Sequence, residues 1–354
     1  MFMKRPLLAA LLLGVALPVS GPALAADPDP AALLDDARLF FEPIPLAAPV
    51  PEGNVMSRAR IDLGKNLWFD PRLSRSWVFS CNSCHNVGMG GMDGLPTSIG
   101  HGWAQGPRNS PTVYNAIFNV AQFWDGRAAD LREQATGPIQ AAVEMNNTEE
   151  RVIATLTSMS GYVEMFAAAF PGEAEPITFD NLAKAIEAFE ATLITPNSAF
   201  DQFLMGDLGV LSAQELRGLQ AFIEEGCVTC HQGVNLGGQE YYPFGLVERP
   251  GADILPPGDR GRFEVTRTAI DDYVFRASPL RNIAITPPYF HSGAVWDLET
   301  AVAVMGVAQL GANLSEEQIA DITAFLRTLT GEKPQVSFPV LPELGPDTPL
   351  PEPM

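Results

Sequence analysis

FSCNSCHNVGMGG, residues 79–91, and GCVTCHQGV, residues 226–234, hold all four cysteines and two of the four histidines of this 354-residue chain. Each stretch contains a C-x-x-C-H pentad. Disulfides are the usual fate of four cysteines in an exported chain, and C-x-x-C pairs often form half of a zinc site. Neither explains His85 and His231. Histidine is about 1% of the residues, so one behind each pair by accident has odds of roughly one in ten thousand. The two pairs also lie much farther apart than those of a zinc ribbon. Covalent haem accounts for every position. Two thiols add to the two vinyl groups of one macrocycle, and the adjacent imidazole lies under the iron. Cys81, Cys84 and His85 therefore read as the attachment of haem one, and Cys227, Cys230 and His231 as that of haem two.

The chain begins MFMKRPLLAALLLGVALPVSGPALAA. Lys4 and Arg5 precede an apolar run too short to span a bilayer, and Ala23 and Ala25 set up a small-residue cleavage site, so residues 1–25 read as a secretory signal. No other apolar run is long enough for a membrane anchor. The formal charge is −20, from 22 basic and 42 acidic residues. Removing two basic residues with the signal makes it −22 (20 minus 42). A surface this acidic excludes nucleic acid as a partner and favours a basic one, met by electrostatic steering.

Each pentad follows a segment of helical character, beginning at Ser57 and at Ser212. In the second, Ser212 and Glu215 make a capping box, and Leu216, Leu219 and Phe222 form an apolar stripe. The arrangement reads as an internal duplication of a cytochrome unit. Helical stretches are expected over 148–169 and 179–194, the latter carrying Leu182, Ile186, Phe189 and Leu193 on one face. A final helix is expected from Ser315, capped with Gln318. ITPNS at 194–198 breaks the pattern, which gives an N-terminal unit at 26–195 and a C-terminal unit at 196–330. Residues 331–354 are too proline-rich for helix or central strand and read as an extended strap. With almost no alternating pattern, the fold class is mainly α, two cytochrome c-like domains with one covalent haem each.

Each iron keeps one open axial position. Met305 follows the second pentad and precedes the last helix, the order used by small electron-transfer cytochromes, and a His/Met pair raises the potential of its haem. Met159 and Met165 read as packing, and Met89 and Met92 as weaker candidates for haem one. His101 lies between Gly100 and Gly102, a flexible setting in which it could close haem one or leave it open.

Residues 99–145, IGHGWAQGPRNSPTVYNAIFNVAQFWDGRAADLREQATGPIQAAVEM, together with LRNIAITPPYFHSGAVWDLETAVAVMG and the pentads, closely resemble the bacterial dihaem cytochrome c peroxidases. The resemblance covers essentially the whole chain after the signal. It implies a periplasmic enzyme that reduces hydrogen peroxide with electrons from a small cytochrome c or cupredoxin. His101 resembles the displaceable ligand of the peroxidatic haem, and Met305 the sixth ligand of the electron-accepting haem. Gln134 and Glu144 resemble the pair that handles peroxide, and Trp124 the tryptophan between the haems. Asn109, Thr286 and Pro288 match positions that bind calcium at the domain interface, a hard cation held by oxygens. His291 matches a residue near haem two that is not a ligand. Family members usually form homodimers.

Two rivals stand beside this reading. A dihaem electron shuttle would have no use for Glu144. An enzyme resembling the one that matures methylamine dehydrogenase would carry a tyrosine where Met305 stands.

Overall fold

The computed structural model describes residues 27–354, so the signal expected at 1–25 lies outside the described residues. The first half contains α1 (Pro30–Ala37), α2 (Arg58–Phe69), α3 (Cys81–Cys84), α4 (Leu131–Gln140), α5 (Glu149–Thr157), α6 (Ser160–Ala169) and α7 (Phe179–Glu190). The second contains α8 (Ala199–Leu204), α9 (Ala213–Glu224), α10 (Phe263–Thr266), α11 (Leu298–Met305) and α12 (Glu316–Arg327). Strand is confined, among the described residues, to β1 (Tyr241–Pro243) paired antiparallel with β2 (Val274–Arg276). The fold is mainly α, as the sequence predicts. No single helix among the described residues is long and apolar enough to cross a membrane.

Ser57 starts α2 by accepting the Arg60 N–H, and Ser212 with Glu215 and Ser315 with Gln318 close the predicted capping boxes. The duplication is visible in how the helices cross. A Cβ on Gly64 of α2 would fall 1.8 Å from Ala185 O and 2.9 Å from the Phe189 Cβ of α7. A Cβ on Gly218 of α9 would fall 1.9 Å from Asp321 O and 2.9 Å from the Phe325 Cβ of α12. Both units therefore bring two helices into backbone contact through one glycine. Four residues past each glycine, Trp68 and Phe222 lay their rings against His85 and His231, at 6.2 and 6.3 Å. Leu193 O and Leu329 O then accept the N–H groups of Asn115 and Asn282, both left-handed residues (φ 61° and 63°).

Two expectations change. Residues 148–169 are not one helical stretch: α5 and α6 meet at 101°, with Met159 extended between them and fully buried. Ser158 ends α5 by bonding Thr155 O and Thr348 Oγ1, and Gly161 lies against Pro342, so the C-terminal segment occupies the corner. In addition, the arm at 30–44, counted with the N-terminal unit by sequence, packs on the C-terminal one. Leu33, Leu34, Ala37 and Phe41 join Phe200, Leu219, Phe222 and Phe325 in one apolar cluster. Polar contacts hold the arm there. Ile44 N–H donates to Asp201, and Arg281, in a fully buried pair with Asp201 at 2.7 Å, donates to Glu42 O.

Residues 331–354 form the expected strap, laid over the first unit. Phe338 packs on Phe69 at 4.8 Å, Arg72 donates to Pro342 O, and Glu352 meets Arg75 and Arg151.

Candidate functional site

A cavity of about 640 Å³ opens against the first pentad, walled by Cys81, Cys84 and His85 on one side. His85 Nδ1 lies 3.0 Å from Pro111 O, which places the hydrogen on Nδ1 and leaves Nε2 as a lone-pair donor. His231 repeats this with Leu236 O at 3.2 Å. Burial lowers the pKa of both imidazoles and favours the neutral, ligating form. No disulfide joins the cysteines. Burial pushes the Cys81 and Cys227 thiols up to about 12 and Cys84 up to about 11, the opposite of what a reactive dithiol needs. Two neighbouring thiols free of any disulfide, one preset imidazole and a void of this size fit a covalently attached haem.

The structure brings Trp124, Gln134 and Glu144 to the same cavity. Asp130 caps α4 by accepting the Glu133 N–H, which sets the helix that carries Gln134. Glu144 lies in the turn after α4, its N–H bonded to Ala141 O. Burial raises its carboxyl above the usual range, and Arg127 partly offsets this. His101 is placed differently. It is not among the residues lining the cavity; its N–H donates to Glu144 O at 2.7 Å, and its Nδ1 is buried without a partner. Gly100 makes this docking possible, because a Cβ there would stand 2.1 Å from Val143 O.

Sequence reasoning missed two residues of this wall. The segments after Asn115 and Asn282 run in register: Phe123 and Phe290 share positive φ, Gly126 and Gly293 likewise, and the caps Asp130 and Asp297 coincide. Carried forward, Pro138 takes the place of Met305. Pro138 lines the cavity, and its side chain has no atom able to ligate iron. Setting FWDG against FHSG would have revealed it. The second is Glu190, at the end of α7, buried in the same wall.

Met305 ends α11 and packs against the cluster of Phe244, Leu255, Phe275 and Ala308, as does Trp124. The same helix sends Ala301 and Val302 into the cluster containing Phe222, the ring against His231. Trp124 and His291, equivalent in the two units, meet edge to face at 6.3 Å. Asn109 ties them together: its carbonyl accepts from Trp124 Nε1 at 2.8 Å and its N–H donates to His291 O at 2.7 Å. Burial drives His291 down to about 4, so this ring is neutral.

Of the residues expected to hold calcium, Asn109 turns its Nδ2 onto Leu95 O, leaving Oδ1 directed elsewhere, and Thr286 turns its hydroxyl back onto Asn282 O and Ile283 O. Pro288 follows a cis peptide bond. No group of three or more His, Cys, Asp or Glu able to hold a metal occurs among the described residues.

The family model for di-haem cytochrome c peroxidase matches residues 58–209, and that for cytochrome c matches residues 216–330. Cytochrome c551 peroxidase of Pseudomonas aeruginosa is 58% identical over 320 residues, covering 90% of this chain and 92% of that protein. Its counterpart in Nitrosomonas europaea is 47% identical over 313 residues, covering 88% and 91%. Among solved structures, a MauG-like protein associated with microbial copper homeostasis matches with a TM-score of 0.73 at 30% identity, covering 82% of this chain and 95% of that one.

Proposed function

This chain belongs to the di-haem cytochrome c peroxidase family, and on that footing we propose that it reduces hydrogen peroxide to water in the periplasm, with electrons from a small soluble carrier. The net reaction takes one peroxide, two electrons and two protons to two waters. Cys81, Cys84 and His85 would hold one haem c, and Cys227, Cys230, His231 and Met305 the other. Bound haem supplies an iron that exchanges single electrons and weakens the peroxide O–O bond. The observation that carries the reading is the cavity itself, which pairs an attachment pentad with Glu144 and Gln134 and has Pro138 where the other unit has Met305.

The side chains divide the remaining work. Glu144, a carboxyl desolvated in the cavity wall, takes the proton from one peroxide oxygen and hands it to the other, which departs as water. The Gln134 amide orients the peroxide. Trp124 stands at the seam between the units, on the route between the haems. His101, tied through its N–H to Glu144 O, would be the residue that closes the first haem or leaves it open. The electron donor, a cytochrome c or cupredoxin with a basic face, docks under the attraction of the −22 charge left once the signal is removed (20 minus 42). Asn109, Thr286 and Pro288 offer amide and carbonyl oxygens to one calcium ion at the interface, and the enzyme works as a homodimer. Met305, in place of a tyrosine, disfavours the reading as a partner-modifying enzyme.

The test uses the exported, matured protein. Mass spectrometry is expected to find two covalent haems, and the reduced donor to be consumed on peroxide addition. A product with two haems and no peroxide turnover would leave the shuttle reading instead.

A further inference from the structure

Glu190 occupies a position where the other unit keeps a hydrocarbon. It is 3% exposed, its Oε2 is buried without a hydrogen-bond partner, and it lines the first cavity beside Cys81. The helix crossings give its counterpart. Gly64 meets Ala185 and Phe189 just as Gly218 meets Asp321 and Phe325, so Glu190 corresponds to Leu326, which is 4% exposed. The registers still agree three residues later, at Leu193 and Leu329. At this position the two units thus differ by one buried acid, placed in the unit assigned to peroxide.

The surroundings disfavour its charge. Its own helix supplies Glu187, a second acid, and burial pushes Glu190 up to about 8. α3 supplies Cys81, whose thiol senses both Glu190 and Glu144 of the cavity wall. The cations on the helices packed against α7 turn elsewhere. On α2, Arg58 and Lys65 pair with Asp62, and Arg60 bonds Asn54. On α4, Arg132 pairs with Asp180, and on α5, Arg151 pairs with Glu352. Trp68 lies between α7 and His85, its ring against both Phe189 and the imidazole.

We propose that Glu190 is a proton-carrying group of the first haem site, taking up one proton when an electron reaches that haem and releasing it when the electron leaves. The electron comes from the donor and the proton from solvent hydronium: one O–H bond of hydronium breaks, one O–H bond forms on the carboxylate, and water is left. The physical cause is charge balance in a dry cavity. Oxidised iron favours the carboxylate and reduced iron favours the acid. The equivalent leucine cannot do this, so haem two lacks the coupling.

The inference rests on haem one being attached at Cys81 and Cys84. Spectroelectrochemical titration of the dihaem protein from pH 6 to 10, for wild type, Glu190→Gln and Glu190→Leu, tests it. The wild-type potential of haem one should fall with rising pH, and both variants should lose that slope. Haem two should keep its own slope in all three. Redox-difference infrared spectra should show a carboxylic acid band appearing on reduction of the wild type and missing from Glu190→Gln. Glu190→Leu restores the packing of the other unit and serves if the amide fails to fold. A dihaem Glu190→Gln protein with an unchanged slope, or a wild type with none, overturns the assignment while leaving the peroxidase reading intact. A product without haem at the first pentad overturns both.

Discussion

Glu144 is pulled in two directions: burial raises its carboxyl above its ordinary 4.5, while Arg127 draws it back. A group that must be ionised to accept the peroxide proton loses that capacity as pH falls through a raised pKa. kcat/KM for peroxide should therefore decline on the acid side at a pH above the ordinary carboxylate range. Glu144→Gln should remove that limb and lower kcat by roughly 10²–10⁴-fold, as stopped-flow or steady-state assays across pH would show. Arg127→Gln should move the limb to higher pH, because the charge opposing burial is gone. The pentads declared their chemistry in five letters, since covalent attachment needs those residues at that spacing. Glu144, Gln134 and Trp124 were legible only through the resemblance, because an acid after a helix has no intrinsic signature. Glu190 was not legible at all. It sits on the apolar face of α7 between Phe189 and Leu193, and only the fold shows that this face looks into a cavity.

At the scale of elements, the two glycine crossings set each haem site. Helices α2 and α7, like α9 and α12, touch backbone to backbone, and this seats Trp68 and Phe222 on the proximal imidazoles. Gly64→Ala would put a methyl within 1.8 Å of Ala185 O and force the pair apart. Overpacking of this kind costs about 1–3 kcal/mol. The expected result is local: Gly64→Ala perturbs the absorption of haem one and lowers the melting temperature, leaving haem two native. Gly218→Ala does the reverse. Equal disturbance of both haems by either variant would show that the units do not pack independently. The caps at Ser212 and Ser315 could be read from sequence because a capping box is local. The break between α5 and α6 could not, because its cause is Pro342 and Thr348, far away along the chain. The same holds for the arm at 30–44, whose Leu33, Leu34 and Phe41 fit either core by composition but are fixed to the second by Asp201 and Arg281.

Across the whole molecule, the two units close one site together. Pro256, Gly258 and Asp259 of the second half line the cavity of the first. Arg108 holds them there, with Nε and Nη2 on the two oxygens of Asp259 and Nη1 on Asp125, each at 2.6 Å. Burial by itself would raise the Asp259 carboxyl, but the hydrogen bonds and charge of Arg108 outweigh it and hold the group below its ordinary 3.8. A carboxylate depressed on folding stabilises the native state above its unfolded pKa and loses that contribution as pH falls through the folded one. Replacing Arg108 by Met keeps the bulk but strips Asp259 of its guanidinium, while Asp125 keeps Arg127. Removing one partner of a buried pair costs roughly 3–5 kcal/mol. Urea titrations of the two proteins should therefore differ by about that much at pH 7, and the gap should narrow as pH falls from 3.8 through the lower pKa at which the paired Asp259 takes its proton. The same variant should slow peroxide turnover more than it slows reduction of haem two by the donor, because the cavity wall moves while the second haem keeps its own shell. A gap that persists unchanged into acid would mean that Arg108 stabilises the seam by packing on Phe275, 5.6 Å from its guanidinium, rather than by charge.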